Sequence, residues 1–213
     1  MRTIRRGGEH QIEIKKSRFI CALARVSSED EAREFIAERR KLHWNATHNC
    51  TAYIVGEDGR IQRSSDDGEP AGTAGVPMLE VLRHRGLTDT AAVVTRYFGG
   101  IKLGAGGLIR AYGSAVAAAI DEVGILERRS LPVVTVLADY QQAGRLESDL
   151  RESPHRVVDV RYGADVEIDV ALYGTDPADF TAWVAEITAG QALCELQGKT
   201  TVEVEVGADG TAP

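Results

Sequence analysis

Three cations and five glycines share one stretch, Arg96-Tyr-Phe-Gly-Gly-Ile-Lys-Leu-Gly-Ala-Gly-Gly-Leu-Ile-Arg110. Arg96, Lys102 and Arg110 supply the charge; Gly99, Gly100, Gly104, Gly106 and Gly107 leave the backbone open to close approach. Free amides running into a helix N-terminus, with cations beside them, are chemistry for an anion, a phosphate above all. The guanidinium forks of Arg96 and Arg110 suit bidentate contact, and Lys102 suits a point charge. No standard phosphate fingerprint is met. Lys102 is followed by Leu103 where a Walker A loop needs Ser or Thr, and Ile109 stands where a dinucleotide motif from Gly104 needs Gly. Tight turns and close helix–strand packing also use glycine, but turns alone rarely need five in nine residues.

A second loop, Asp66-Asp67-Gly68-Glu69-Pro70, gathers carboxylates ahead of another helical pattern. These acids could hold Mg²⁺ and so bridge a phosphate. The Asp-x-Asp spacing of a calcium loop is missing, however, and Asp-Gly and Glu-Pro are turn signals, so the turn reading is preferred. His48 and Cys50 lie two apart on a strand and share a face, the minimum for a Cys/His nucleophile. No orienting acid is identifiable, and a lone Cys is most often a small hydrophobe. No catalytic residue, metal or cofactor is assigned.

The elements that must position these loops follow from periodicity. Strands are expected at 10–15, 19–26, 51–55, 60–63 and 90–96, with helices at 29–42, 74–85 and 108–123. Ser27 and Ser28, each with an acid three residues on, are capping-box candidates, and Phe35, Ile36 and Leu42 form the first helix's apolar stripe. Asp58-Gly59 is a hairpin turn. From residue 131 the order is strand 133–137, helix 140–152, strand 157–162, strand 166–172, helix 177–187, strand 200–206, the β-α-β-β-α-β ferredoxin-like arrangement. Residues 1–8 are expected to be a loose arm, and Trp44 and Trp183 core or domain-contact residues.

Charge changes where the pattern changes. Residues 1–130 hold 20 Lys+Arg against 17 Asp+Glu; residues 131–213 hold 5 against 15. Two domains with different partners follow, 1–128 and 129–207, with 208–213 a tail. The acidic second domain would repel nucleic-acid phosphates, which points it toward a protein partner. The odd, scattered cysteines (Cys21, Cys50, Cys194) fit a reducing compartment, and the absence of a signal peptide or long apolar run predicts a cytoplasmic protein without a membrane partner.

Three segments, His48-Asn-Cys-Thr-Ala-Tyr53, Ser65-Asp-Asp-Gly-Glu-Pro-Ala-Gly-Thr-Ala-Gly75 and Val94 to Tyr112 (through Tyr97 and the glycine loop), resemble the signature of the IMPACT family and its bacterial, YigZ-type branch. His48, Cys50, Asp66, Asp67, Gly68, Glu69, Pro70 and Tyr97 are the motif residues outside the anion loop. The resemblance implies an α+β protein of two domains. The first is like domain two of ribosomal protein S-five; the second is ferredoxin-like and similar to the last domain of elongation factor G. Eukaryotic IMPACT proteins restrain an initiation-factor-2 kinase by competing for its ribosome-associated activator. The implied function is therefore a non-catalytic, translation-linked regulator that binds RNA or the ribosome through domain one. Two alternatives stand beside it: an enzyme binding a small phosphate or nucleotide with Mg²⁺ at the same loop, and a protein-interaction module acting through domain two.

Overall fold

Alternating apolar residues drive the first of two compact units in the computed structural model, which describes residues 1–56 and 58–205; Met1–Arg128 and the C-terminal end from Glu203 form one unit, Arg129–Val202 the other. In unit one, β2 (Gly8–Ile14), β3 (Ser17–Arg25), β4 (His48–Val55), β5 (Ile61–Ser65) and β6 (Thr90–Tyr97) form an antiparallel sheet in the order β2-β3-β6-β4-β5. Strand alternation sends Phe19, Cys21, Leu23, Cys50, Ala52, Ile54, Ala92 and Val94 to one face. There α2 (Gly75–His84) and α3 (Ala105–Val123) cover them through Met78, Leu82, Tyr112, Val116 and Ile120. Tyr53, Val55 and Ala91 point to the other face and meet α1 (Glu29–Leu42) through Ala32, Phe35 and Ile36.

Local signals account for the helix ends. Ser28 caps α1 by accepting from the Glu31 amide at 3.2 Å, while Glu31 reaches back to the Ser27 amide at 2.7 Å. The chain before β2 is not a loose arm: β1 (Arg2–Ile4) pairs antiparallel with the start of β7 (Ile125–Ala138), and Ile4 is fully buried. That burial is what orders a segment whose composition reads as basic and mobile. Helix α3 begins three residues earlier than its apolar periodicity shows, because Gly104 at φ +74° starts it. Leu42 is exposed, since α1 ends just as its stripe turns away from the sheet. Trp44 is 82% exposed rather than core, because it falls in the turn after α1.

In unit two the order is β7, α4 (Tyr140–Glu152), β8 (Arg156–Tyr162), β9 (Val166–Ala171), α5 (Pro177–Ile187), β10 (Leu193–Glu205). The strands lie in the sequence β10-β7-β9-β8, and Val134, Val136, Ile168 and Val170 pack against Leu146, Leu150, Phe180 and Val184 of the helices. Asp139 caps α4 and Asp176 caps α5 ahead of Pro177. Strands β7 and β10 both start well before the expected residues 133 and 200. The last residue of the strand expected over 200–206, and the tail 208–213, lie outside the described residues. No helix among the described residues is long and apolar enough to cross a membrane.

Candidate functional site

The register of three strands brings His48, Arg96 and Phe19 into one row at an end of the unit-one sheet: His48 pairs with Arg96 across β4 and β6, and Phe19 with Arg96 across β3 and β6. All three face α2 and α3 by strand parity. Glu69, from the acidic loop, caps this row. Its carboxylate accepts from Arg96 Nη1 at 2.6 Å and from the Tyr112 hydroxyl of α3 at 2.8 Å, with His48 Nε2 3.8 Å away. Arg96 is 5% exposed and lies between two rings, Phe19 at 5.4 Å and Phe98 at 5.5 Å from its guanidinium carbon.

Arg96 is therefore not the open phosphate clamp expected from its position before the glycines. Its charge is committed to Glu69 inside the fold, and a buried charge relinquishes such a partner only at high cost. The other two acids of that loop are committed as well. Asp66 accepts amide hydrogens from Gly72 (2.8 Å), Ala74 (3.0 Å) and Gly75 (2.8 Å), satisfying the start of α2, where the N-cap residue Ala74 has no side-chain acceptor of its own. Burial raises its pKa, but these three amides outweigh that effect and hold the carboxyl below its ordinary value. Asp67 accepts from the Asn49 amide at 2.6 Å and from Arg40 at 3.2 Å. Among the described residues no three His, Cys, Asp or Glu side chains form a metal-ligand group.

Cys50 donates to the Asp66 carbonyl at 2.9 Å, and His48 Nδ1 donates to the Asp67 carbonyl at 2.8 Å. Burial pushes the Cys50 thiol up to about 12, so no thiolate is present near neutrality. The pair staples the loop to β4 instead of forming a nucleophile. Gly68 and Pro70 shape the intervening turn; Gly68 adopts φ +86° beside His48.

The glycine loop is built differently. Gly99 donates to Ser17 Oγ at 3.1 Å, and a β-carbon there would lie 2.0 Å from the Lys16 carbonyl. Gly100 and Gly104 take φ values of +84° and +74° with open space around them. Gly104, Gly106, Lys102 and Arg110 are exposed and Gly107 is partly so, and no side chain caps α3. Among the described residues no ion pair engages Lys102 or Arg110. On the opposite face of the row, Tyr97 accepts or donates at 2.9 Å with His43 Nδ1 and stacks against Arg18, whose guanidinium carbon is 4.7 Å from the ring centroid. The loop after α1 is tied here too: Thr47 donates its amide to the Arg96 carbonyl at 2.9 Å, and Phe98 donates to Thr47 Oγ1 at 3.1 Å. Sequence reasoning missed the turn after α1 as a third loop, because Trp44 carries no motif and nothing local shows that this turn meets Phe98, which lies inside the 94–112 signature.

An antiparallel sheet flanked by helices thus carries, at one end, an acidic loop whose carboxylates are engaged beside a glycine loop whose Lys102 is exposed. Residues 15–120 match the Impact N-terminal domain, and residues 136–191 match a domain of unknown function, DUF1949. IMPACT family member YvyE of Bacillus subtilis (strain 168) is 53% identical over 190 residues, covering 89% of this chain and 88% of the relative. IMPACT family member YigZ of Escherichia coli (strain K12) is 39% identical over 180 residues, covering 84% and 88%. A crystal structure described as that of a hypothetical protein is 37% identical and superposes with a TM-score of 0.57, covering 91% of this chain and 95% of its own. The chain belongs to the IMPACT family.

Proposed function

We propose that this protein is a non-catalytic, translation-linked regulator of the cytoplasm that binds RNA or a ribosome-associated polyanion through unit one. One observation carries the reading: at a single sheet end Asp66 and Glu69 are bonded within the fold and Asp67 is engaged by Arg40 and the Asn49 amide, while Lys102, Arg110 and the uncapped start of α3 face solvent, with neither cation in an ion pair among the described residues. That arrangement leaves exposed, unpaired positive charge beside the glycine loop on a chain whose net charge is −7. Resemblance to the eukaryotic IMPACT proteins supports the translational setting. So do the finer fold assignments, unit one like domain two of ribosomal protein S-five and unit two ferredoxin-like. The strand order β10-β7-β9-β8 supports the latter.

The acidity of residues 131–213 supports a protein partner for unit two rather than RNA. The Mg²⁺-dependent nucleotide reading loses its support, since Asp66, Asp67 and Glu69 are consumed by internal hydrogen bonds. The test is sedimentation of lysate through sucrose at low and moderate salt, wild type against Lys102→Ala/Arg110→Ala. Wild type should travel with ribosomal particles and the double variant should remain at the top. Wild type remaining at the top at every salt concentration overturns the proposal.

A further inference from the structure

Three loops meet at the open sheet end: the β2–β3 turn, the 43–47 turn after α1, and the loop after β6. Gly99 packs on the Lys16 carbonyl, Thr47 and Phe98 are hydrogen-bonded, and Arg18 and His43 take opposite contacts to Tyr97. Besides the uncharged Asn45, Thr47 and Ile101, the exposed side chains these loops carry are aromatic rings and cations. Trp44 is 82% exposed and Phe98 47%. Lys15, Lys16 and Lys102 are exposed, and none makes an ion pair among the described residues; exposed Arg18 lies over the Tyr97 ring, with Glu13 its cross-strand neighbour. No acid occurs in 15–18, 41–47 or 97–104.

The β2–β3 turn adds an independent observation. Ile14 pairs with Ser17, so Lys15 and Lys16 are the two central residues of a tight hairpin, and both have positive φ, +47° and +63°. That turn type strongly prefers Asn-Gly, because a β-carbon is strained at both positions. Two lysines held in a strained backbone at an exposed tip, with no acid to pair, indicate a use for their charge. Phe98 is braced from behind by the Arg96 guanidinium, leaving its outer face open.

Resting on the reading of unit one as a polyanion binder, we infer that this sheet end takes a single-stranded nucleic acid, with bases stacked on Trp44 and Phe98 and backbone phosphates on Lys15, Lys16, Arg18 and Lys102. Rings interleaved with cations are the composition of single-strand surfaces, where each base offers a π-face and each phosphate a charge. A duplex hides its base faces and would use the cations alone. A membrane surface needs a continuous apolar area, which the intervening lysines, Asn45 and glycines interrupt.

The experiment titrates labelled oligouridylate, the matching RNA duplex and anionic phosphatidylserine vesicles against wild type, Trp44→Ala, Phe98→Ala and Lys15→Asn/Lys16→Gly. A Trp183→Phe background leaves Trp44 as the sole tryptophan. Oligouridylate should quench Trp44 fluorescence and bind more tightly than duplex. Each ring deletion should weaken it about tenfold with an unchanged salt slope, and the hairpin replacement should lower that slope by up to two while raising the melting temperature. Equal affinity for duplex and single strand, with both ring variants as wild type, overturns the inference but leaves the polyanion reading standing. Binding of vesicles and of neither RNA overturns both.

Discussion

The loops at 66–75 and 97–107 look alike in sequence, glycine-rich, charged and each leading into a helix, yet they are opposite in construction. In the first, the carboxylates are all engaged: Asp66 takes three amides, Asp67 an amide and Arg40 at the surface, and Glu69 the buried Arg96–Tyr112 pair. In the second, Tyr97, Phe98 and Gly99 are fixed from outside, while Lys102 and, just beyond, Arg110 are exposed to water. Short carboxylates satisfy nearby amides at a helix start, whereas Lys and long Arg side chains find no amide acceptor there. The sign of the charge thus decides which glycine loop becomes a brace and which stays open for a ligand.

The sharpest way to break that contrast is to remove the anion of the brace. Glu69→Ala should destabilise unit one by about 3–5 kcal/mol, because Arg96 is left buried without a counter-charge. Urea unfolding would show it, and the Glu69→Met/Arg96→Met pair should regain a large part of the loss; a loss below about 1 kcal/mol would mean that Arg96 reaches water easily. Gly99→Ala comes next, at about 1–3 kcal/mol, since the new methyl meets the Lys16 carbonyl. Gly106→Ala, with only the end of Arg110 nearby, should be neutral or better by the same assay.

The brace also has a pH signature, carried by Asp66. Its folded pKa is depressed, so its contribution is fully present above the ordinary carboxylate value and lost as pH falls through the folded value. Asp66→Asn should cost about 1–2 kcal/mol at pH 7, and the gap from wild type should close below about pH 4. A gap constant down to pH 2 would assign the capping to geometry and not to charge.

Much of the architecture was readable from pattern: the apolar periodicity of β3, β4, β6, α4 and α5 matches their positions closely, and Ser28, Asp176 and Pro177 start helices where their chemistry says. The site was half readable. Glycine and cation at 96–110 marked a special loop, but nothing local distinguishes Arg96 from Lys102 or Arg110. Its burial depends on Glu69 and Tyr112, which are 27 and 16 positions away and meet it only through the fold. Trp44 failed for the converse reason: its hydrophobicity says core, while the C-terminal end of α1, which decides its exposure, is set by tertiary packing.

Unit one closes on itself across a long interruption. Glu203, near the C-terminal end of β10, binds Arg25 at 3.0 Å and Arg128 at 3.1 Å, and Arg128 in turn holds Asp89 at 2.6 Å. During synthesis, residues 129–202 must be made between Arg128 and its second carboxylate. At about 5–20 residues per second that is a delay of roughly 4–15 s. The nascent N-terminal unit waits through that interval with Arg25 uncompensated, and a stop codon anywhere inside the second unit leaves the first without its final clasp.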